Sequence, residues 1–134
     1  MDSELQQRMG ADLYRRWASM WNGDLALANE IISDGFVAHL TADAVSPPEE
    51  IRDARTVAGW VSFIRGRGID LIYTVEVGPI SDGDLVVGYW RLSGMRPTPD
   101  GGSPQPFERV GIDILRHQNN RLIECWTMNN NARR

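Results

Sequence analysis

The spacing of apolar positions changes halfway along the chain. Within residues 4–22, Leu13, Tyr14, Trp17, Met20 and Trp21 recur at three- and four-residue intervals. That period predicts an amphipathic helix. Asn22-Gly23 stops it, with Gly23 at a left-handed position. Asp24 is placed to cap a second helix, residues 25–32, in which Ala and Leu favour the helical state. Ser33-Asp34-Gly35 ends that helix, and residues 36–40, Phe36 to Leu40, predict a short strand. Residues 41–48 predict a loop, because Pro47-Pro48 excludes helix. A third helix is expected over roughly 51–66, with Val57, Trp60, Val61 and Ile64 on its apolar face.

Beyond residue 68 the period falls to two, the mark of strands. Residues 69–77 alternate imperfectly and are followed by the breakers Gly78-Pro79 and Ser81-Asp82-Gly83. Residues 84–95 put Leu85, Val87 and Tyr89 on one face and Val86, Gly88, Trp90 and Leu92 on the other. Residues 96–106 form a Pro/Gly-rich connection. Val110, Ile112 and Ile114 then alternate with Gly111, Asp113 and Leu115. After Asn119-Asn120, which suits a two-residue hairpin turn, Leu122, Glu124, Trp126 and Met128 alternate with Ile123, Cys125 and Thr127. This register sets Asp113 opposite Trp126. A connection centred on Gly101-Gly102 sets Trp90 opposite Asp113 as well. Residues 129–134 read as a polar tail. Helices followed by a run of antiparallel strands is the α+β pattern, and a curved sheet around helices leaves a cavity between them.

The totals narrow this picture. A length of 134 residues fits one domain, 1–134, and 42% hydrophobic content excludes global disorder. A net charge of -4 without a basic run argues against nucleic acid as partner. The apolar runs are too short to span a membrane, and residues 1–16 hold no apolar signal core, so a cytoplasmic protein is expected. The one cysteine, Cys125, reads as a small buried hydrophobe. Five Trp is a high count, and large aromatics serve both cores and apolar ligand pockets.

Asp113 is the anomaly: a carboxylate in the middle of an apolar strand. Desolvation raises the pKa of such a group and fits it to move protons near neutral pH. Exposure on an outer sheet face, or pairing with Arg109 or Arg116, are the alternatives. His39, at the end of its strand, is either a polar pocket group or a hydrogen-bonded strand end. The aromatic stripe of the first helix is core or ligand wall. Only His39 and His117 are histidines, and neither an HxxxH nor a CxxC spacing occurs, so a metal site is unsupported. There is no P-loop, and Gly66-Arg67-Gly68 lies between a helix and a strand, the wrong order for dinucleotide binding. No cofactor is expected.

DLVVGYWRLSG at 84–94 and GIDILRHQNNRLIECW at 111–126 resemble the C-terminal motifs of the SnoaL-like polyketide cyclases, within the nuclear transport factor 2-like superfamily. Gly111, Asp113, Arg116, Glu124 and Trp126 match the family pattern. Residues 14–40 resemble its opening helices and its first strand ending in His, here His39. Gly94-Met95-Arg96 stands where a Thr-His pair is frequent, and Asn129 or Asn130 where an acid follows the last Trp. The resemblance implies a cone-shaped α+β barrel, a curved, mostly antiparallel sheet wrapped around three helices with an apolar pocket. It implies intramolecular aldol cyclisation of a polyketide-type or polycyclic aromatic substrate, with Asp113 as general acid/base. Tyr14, Trp17, His39, Trp60, Trp90, Arg109, Trp126 and Met128 are the expected substrate contacts. The same fold hosts isomerases, epoxide hydrolases, hydroxylases and binding modules without chemistry, and these stay open.

If Asp113 faces the pocket, Val110, Ile112, Ile114, Ile123 and Cys125 face outward. An apolar patch of that extent predicts a homodimer through the outer sheet face.

Overall fold

The computed structural model describes residues 2–41 and 46–131. Helix α1 spans Ser3–Trp21 and is capped by the Asp2 carboxylate, which accepts from the Glu4 amide at 3.1 Å. A 3₁₀ turn, Leu25–Leu27, leads into one turn of helix, α2, Ala28–Ile31, and then strand β1, Ile32–Leu40. The expected second helix is therefore much shorter, and the Asp24 side chain makes no cap bond. Strand β1 takes over four residues early. Of the expected loop at 41–48, residues 42–45 lie outside the described residues.

Helix α3, Ala54–Arg65, starts three residues later than the apolar pattern predicts. A capping box explains the start. The Thr56 amide donates to Asp53 Oδ1 at 2.9 Å, and the Asp53 amide donates to Thr56 Oγ1 at 3.0 Å.

Four long strands follow: β2 (Ile69–Asp82), β3 (Leu85–Arg96), β4 (Gln105–Gln118) and β5 (Arg121–Asn131). They form one curved, open sheet in the order β1-β5-β4-β3-β2, antiparallel except for the parallel β1–β5 pair. The architecture is the expected α+β one, with a mixed sheet that does not close. β2 runs straight through Gly78-Pro79, because it is an edge strand and a proline there costs no ladder bond on its open side. The expected polar tail is also strand as far as Asn131, paired with Arg109, Val110 and Gly111; residues 132–134 lie outside the described residues.

Helix α1 lies across β2 and β3 on the concave face. Asn22 pins its end by acting as an extra strand residue. Its Oδ1 accepts from the Tyr73 amide at 2.8 Å and its Nδ2 donates to the Tyr73 carbonyl at 2.9 Å. Arg65 does the same for α3, donating to the carbonyls of Trp21 and Leu71. A chain of aromatic rings fills the space between: Phe36, Trp17, Trp60, Trp21, Tyr73 and Trp90, with neighbouring centroids 4.9–6.4 Å apart. Edge-to-face pairs such as Trp21–Trp60 add about 0.5–1.5 kcal/mol each beyond burial. No described helix is long and apolar enough to cross a membrane.

Asn119 and Asn120 both have positive φ, 55° and 59°, as a type I′ hairpin turn requires. Three residues later the ladder slips. His117 pairs with Leu122, but Arg116 pairs with Glu124, so Ile123 is an extra residue in β5. This bulge turns every following β5 side chain to the other face. Cys125 therefore points inward and is fully buried, which corrects the expectation that it faces outward. Burial pushes its thiol pKa well up. A disulfide-exchange reagent should accordingly titrate no thiol in the native protein and one per chain after denaturation; rapid reaction in the native state would contradict the buried placement.

Candidate functional site

The concave face is lined by the even positions of β3 and the odd positions of β4. Val86, Gly88, Trp90 and Leu92 are buried there, as the alternation predicts. Gly111 and Asp113 face the same way from β4. Two glycines make room around the carboxylate. Gly88 pairs with Asp113, and a Cβ on it would overlap the Tyr14 phenol. Gly111 pairs with Trp90, and a Cβ on it would overlap the Trp90 ring and crowd the Met128 carbonyl. Gly111→Val should cost about 1–3 kcal/mol, in the range of overpacked cores. It should also push Trp90 into the cavity. A lowered melting temperature with an altered tryptophan emission spectrum checks this.

Asp113 is 3% exposed and accepts three hydrogen bonds. The Trp17 indole N–H donates to Oδ2 at 3.0 Å, the Tyr73 hydroxyl to Oδ2 at 2.9 Å, and the Thr127 hydroxyl to Oδ1 at 2.6 Å. Tyr14 stands behind, its hydroxyl 2.8 Å from that of Tyr73. Because Tyr73 gives its proton to Asp113, Tyr14 is the donor in that second bond. The Trp90 indole N–H is also directed at the carboxyl and lowers its pKa, but lies outside the geometry of a full hydrogen bond. Burial raises the Asp113 pKa; the bonds from Thr127, Trp17 and Tyr73, and the field of Trp90, pull it back down without cancelling the rise. Burial also raises the pKa of Tyr14 and Tyr73, with the Asp113 charge adding to it, so both phenols stay protonated donors.

Asp113 and Thr127 form the polar floor of a cavity of about 500 Å³. Its walls are Trp21, Trp60, Leu71, Tyr73, Trp90 and Leu92. Trp21 has a buried indole N–H with no partner among the described residues. The mouth lies where α3 ends, β3 ends and β4 begins, and carries Arg67, Arg96, Phe107 and Arg109. A chamber of this size with a few convergent polar groups is the usual form of a small-molecule site. Among the described residues no cluster of His, Cys, Asp or Glu is arranged to hold a metal ion.

No family model matches the chain. No curated protein matches it either. Solved structures do. One is IdmH of Streptomyces antibioticus, a candidate polyketide cyclase, 28% identical over 90% of this chain and 91% of that one, with a TM-score of 0.73. Another is a candidate SnoaL-like polyketide cyclase of Jannaschia sp. CCS1, 16% identical, covering 97% of this chain and 91% of that one at a TM-score of 0.76. A third, from Catenulispora acidiphila, is described by its ketosteroid isomerase-like fold; it is 17% identical, covers 87% and 84%, and has a TM-score of 0.70. This chain has the fold of these SnoaL-like and ketosteroid isomerase-like proteins.

Within that SnoaL-like frame the nine residues singled out by sequence separate into three groups. Asp113, Trp60, Trp90 and Arg109 line the cavity. Tyr14 and Trp17 do not reach it; both are fully buried behind Asp113 and position the carboxylate and Tyr73. His39, Trp126 and Met128 lie on the opposite, outer face, which corrects their assignment as pocket groups. The bulge at Ile123 is the reason: Thr127 pairs with Asp113 where Trp126 was expected, and Trp126 pairs with Ile114. His39 stacks on Trp126 at 5.1 Å between centroids and meets Glu124 at 2.7 Å, a hydrogen-bonded strand end. Trp90 faces Gly111, two residues from its expected partner, but stays on the pocket side because a shift of two preserves the face.

Tyr73, Trp21 and Thr127 were not in the expected set. Tyr73 had a signal, since Leu71, Tyr73 and Val75 keep period two inside the imperfect strand. Trp21 belongs to the helical stripe with Trp17. Thr127 had none, as its placement depends on the bulge.

Proposed function

We propose that the protein is a cofactor-independent, cyclase-like enzyme acting on an apolar polyketide-type or polycyclic aromatic substrate, with Asp113 as general acid/base. One observation carries the reading: a buried carboxyl whose pKa is raised by desolvation forms the floor of a tryptophan-walled cavity. In the proposed reaction Oδ1, which accepts a single bond from Thr127, keeps a lone pair for the incoming proton, whereas Oδ2 is filled by Trp17 and Tyr73. Asp113 takes a proton from carbon next to a carbonyl. The resulting enolate attacks a second carbonyl carbon of the same molecule and forms the carbon–carbon bond. The new alkoxide then receives the proton back from Asp113. The unpartnered indole N–H of Trp21 is available to a substrate oxygen on which charge develops. The walls contribute by holding the chain in a near-attack shape.

The test uses an aromatic 1,3-dicarbonyl in deuterium oxide. The wild-type protein should exchange the acidic carbon-bound hydrogen faster than buffer, and Asp113→Asn should not. Exchange no faster than buffer would defeat the acid/base reading.

A second reading, a binding protein without chemistry, is favoured by one feature: Asp113 is the one carboxyl in the cavity lining among the described residues, and three donors already hold it. It predicts tight binding of such ligands with no exchange. We also propose a homodimer joined through the outer face of the sheet, argued in the Discussion.

A further inference from the structure

We propose that the cavity mouth is an anion subsite, in which Arg67 and Arg96 hold an anionic oxygen group on the outer end of the ligand. The substrate would then be an amphiphilic anion, with an aromatic body against the tryptophan walls and a carboxylate or phosphate at the mouth. This deepens the reading above and rests on it for the nature of the body.

Arg67 sits in the turn between α3 and β2, and Arg96 ends β3. Because Ile69 pairs with Met95, the two backbones leave the sheet at the same place. Both side chains line the cavity. Each guanidinium is laid over an aromatic ring: Arg67 over Phe63 at 5.8 Å and Arg96 over Phe107 at 5.0 Å. Stacking occupies the flat face of the group and leaves its in-plane N–H fork free to donate. Neither arginine makes an ion pair with a described residue. Five other arginines do make such pairs: Arg16, Arg52, Arg55, Arg91 and Arg116. The chain has 18 acidic residues against 14 basic, so carboxylates are abundant, yet Asp113 on the floor is the one acid in the lining among the described residues. A third guanidinium, Arg109, is oriented at the mouth by the side-chain oxygens of Asn129 and Asn131. An anionic group there would meet charge-assisted, two-pronged donors.

The test is binding, not turnover, so it is separable from the acid/base reading. Quenching of the cavity tryptophans reports the affinity of anthraquinone-2-carboxylate and of its neutral carboxamide. The wild-type protein should bind the acid at least about tenfold more tightly, as one charge-assisted contact allows. Arg67→Gln with Arg96→Gln should reduce that ratio to near one while leaving the amide affinity unchanged; if the double variant does not fold, each single variant reads the same ratio. Phosphopantetheine is the second arm. If it displaces the acid from the wild type but not from the variant, the group is a carrier phosphate. If it does not, the group is the ligand's own carboxylate. Equal affinity for acid and amide, or a preference that survives the substitutions, overturns the subsite alone. No binding of either probe overturns it together with the pocket reading.

Discussion

Asp113→Asn should lower turnover by about a hundredfold or more, the scale of lost acid/base catalysis, and at the same time raise the melting temperature. The two effects have one cause. Burial disfavours the charged carboxylate, so its pKa in the folded protein lies above that of the unfolded chain. The folded state then holds a proton that the unfolded state has released. Stability from this group is full below the unfolded pKa, about 3.9, and is lost as pH rises through the folded value. Asn carries no charge to desolvate. It also keeps the hydrogen bonds: its carbonyl oxygen accepts from Trp17 and Tyr73, and its amide donates to the Thr127 hydroxyl, which reverses its role. The variant should therefore melt above the wild type at neutral pH, and the gap should close toward pH 4. Thermal melts across that range, beside the exchange assay, give both readouts. A variant that is less stable at every pH, with exchange unchanged, would contradict the placement and the role together.

Most of the fold was legible because local chemistry and global fold agree. The stripe of Leu13, Tyr14, Trp17, Met20 and Trp21 is the buried face of α1, and Val86, Gly88, Trp90 and Leu92 are the buried face of β3. Asn119-Asn120 is the hairpin turn that positive φ demands. Asp113 stood out as a polar residue in an apolar row, and it is the one the structure buries at the cavity floor. What failed was register. A single extra residue, Ile123, has no composition signal of its own, since an isoleucine in a strand looks the same paired or bulged. That slip moved Trp126 and Met128 to the outer face, Thr127 into the cavity lining and Cys125 into the core. The mouth was missed for a different reason. Arg67 and Arg96 lie in turns and strand ends, far apart in sequence, where periodicity carries no information, and only the Ile69–Met95 pairing brings them together.

Ile112→Lys with Ile114→Lys should convert the proposed homodimer to a monomer without unfolding it. Two cross-strand rows on the outer face are apolar from β2 to β5. One runs Val77, Tyr89, Ile112, Met128, and the next Ile80, Val87, Ile114, Trp126. Exposure reaches 43% at Ile112, 56% at Val77, 58% at Ile80 and 66% at Met128, too much contiguous apolar surface for an isolated monomer. The helices do not cover it, because α1 packs on the concave side. Charged rows frame it. Arg91 meets Glu76 and Glu108 on one side, and Arg116 meets Asp84 and Glu124 on the other. An apolar centre inside a polar rim is the anatomy of a protein interface, and two-fold pairing buries it with one patch on each copy. Cys125 and Ile123 drop out of the expected interface centre, and Trp126 and Met128 replace them. Since Ile112 and Ile114 are exposed within one chain, lysines there cost at most about 1 kcal/mol of strand preference. In a dimer they would set four cations against one another in a dry interface, which is far more costly. Light scattering at micromolar concentration should give twice the chain mass for the wild type and one chain mass for the variant, with similar circular dichroism. A wild-type mass of one chain removes the dimer. A variant that unfolds would mean the two isoleucines are core, contrary to their exposure.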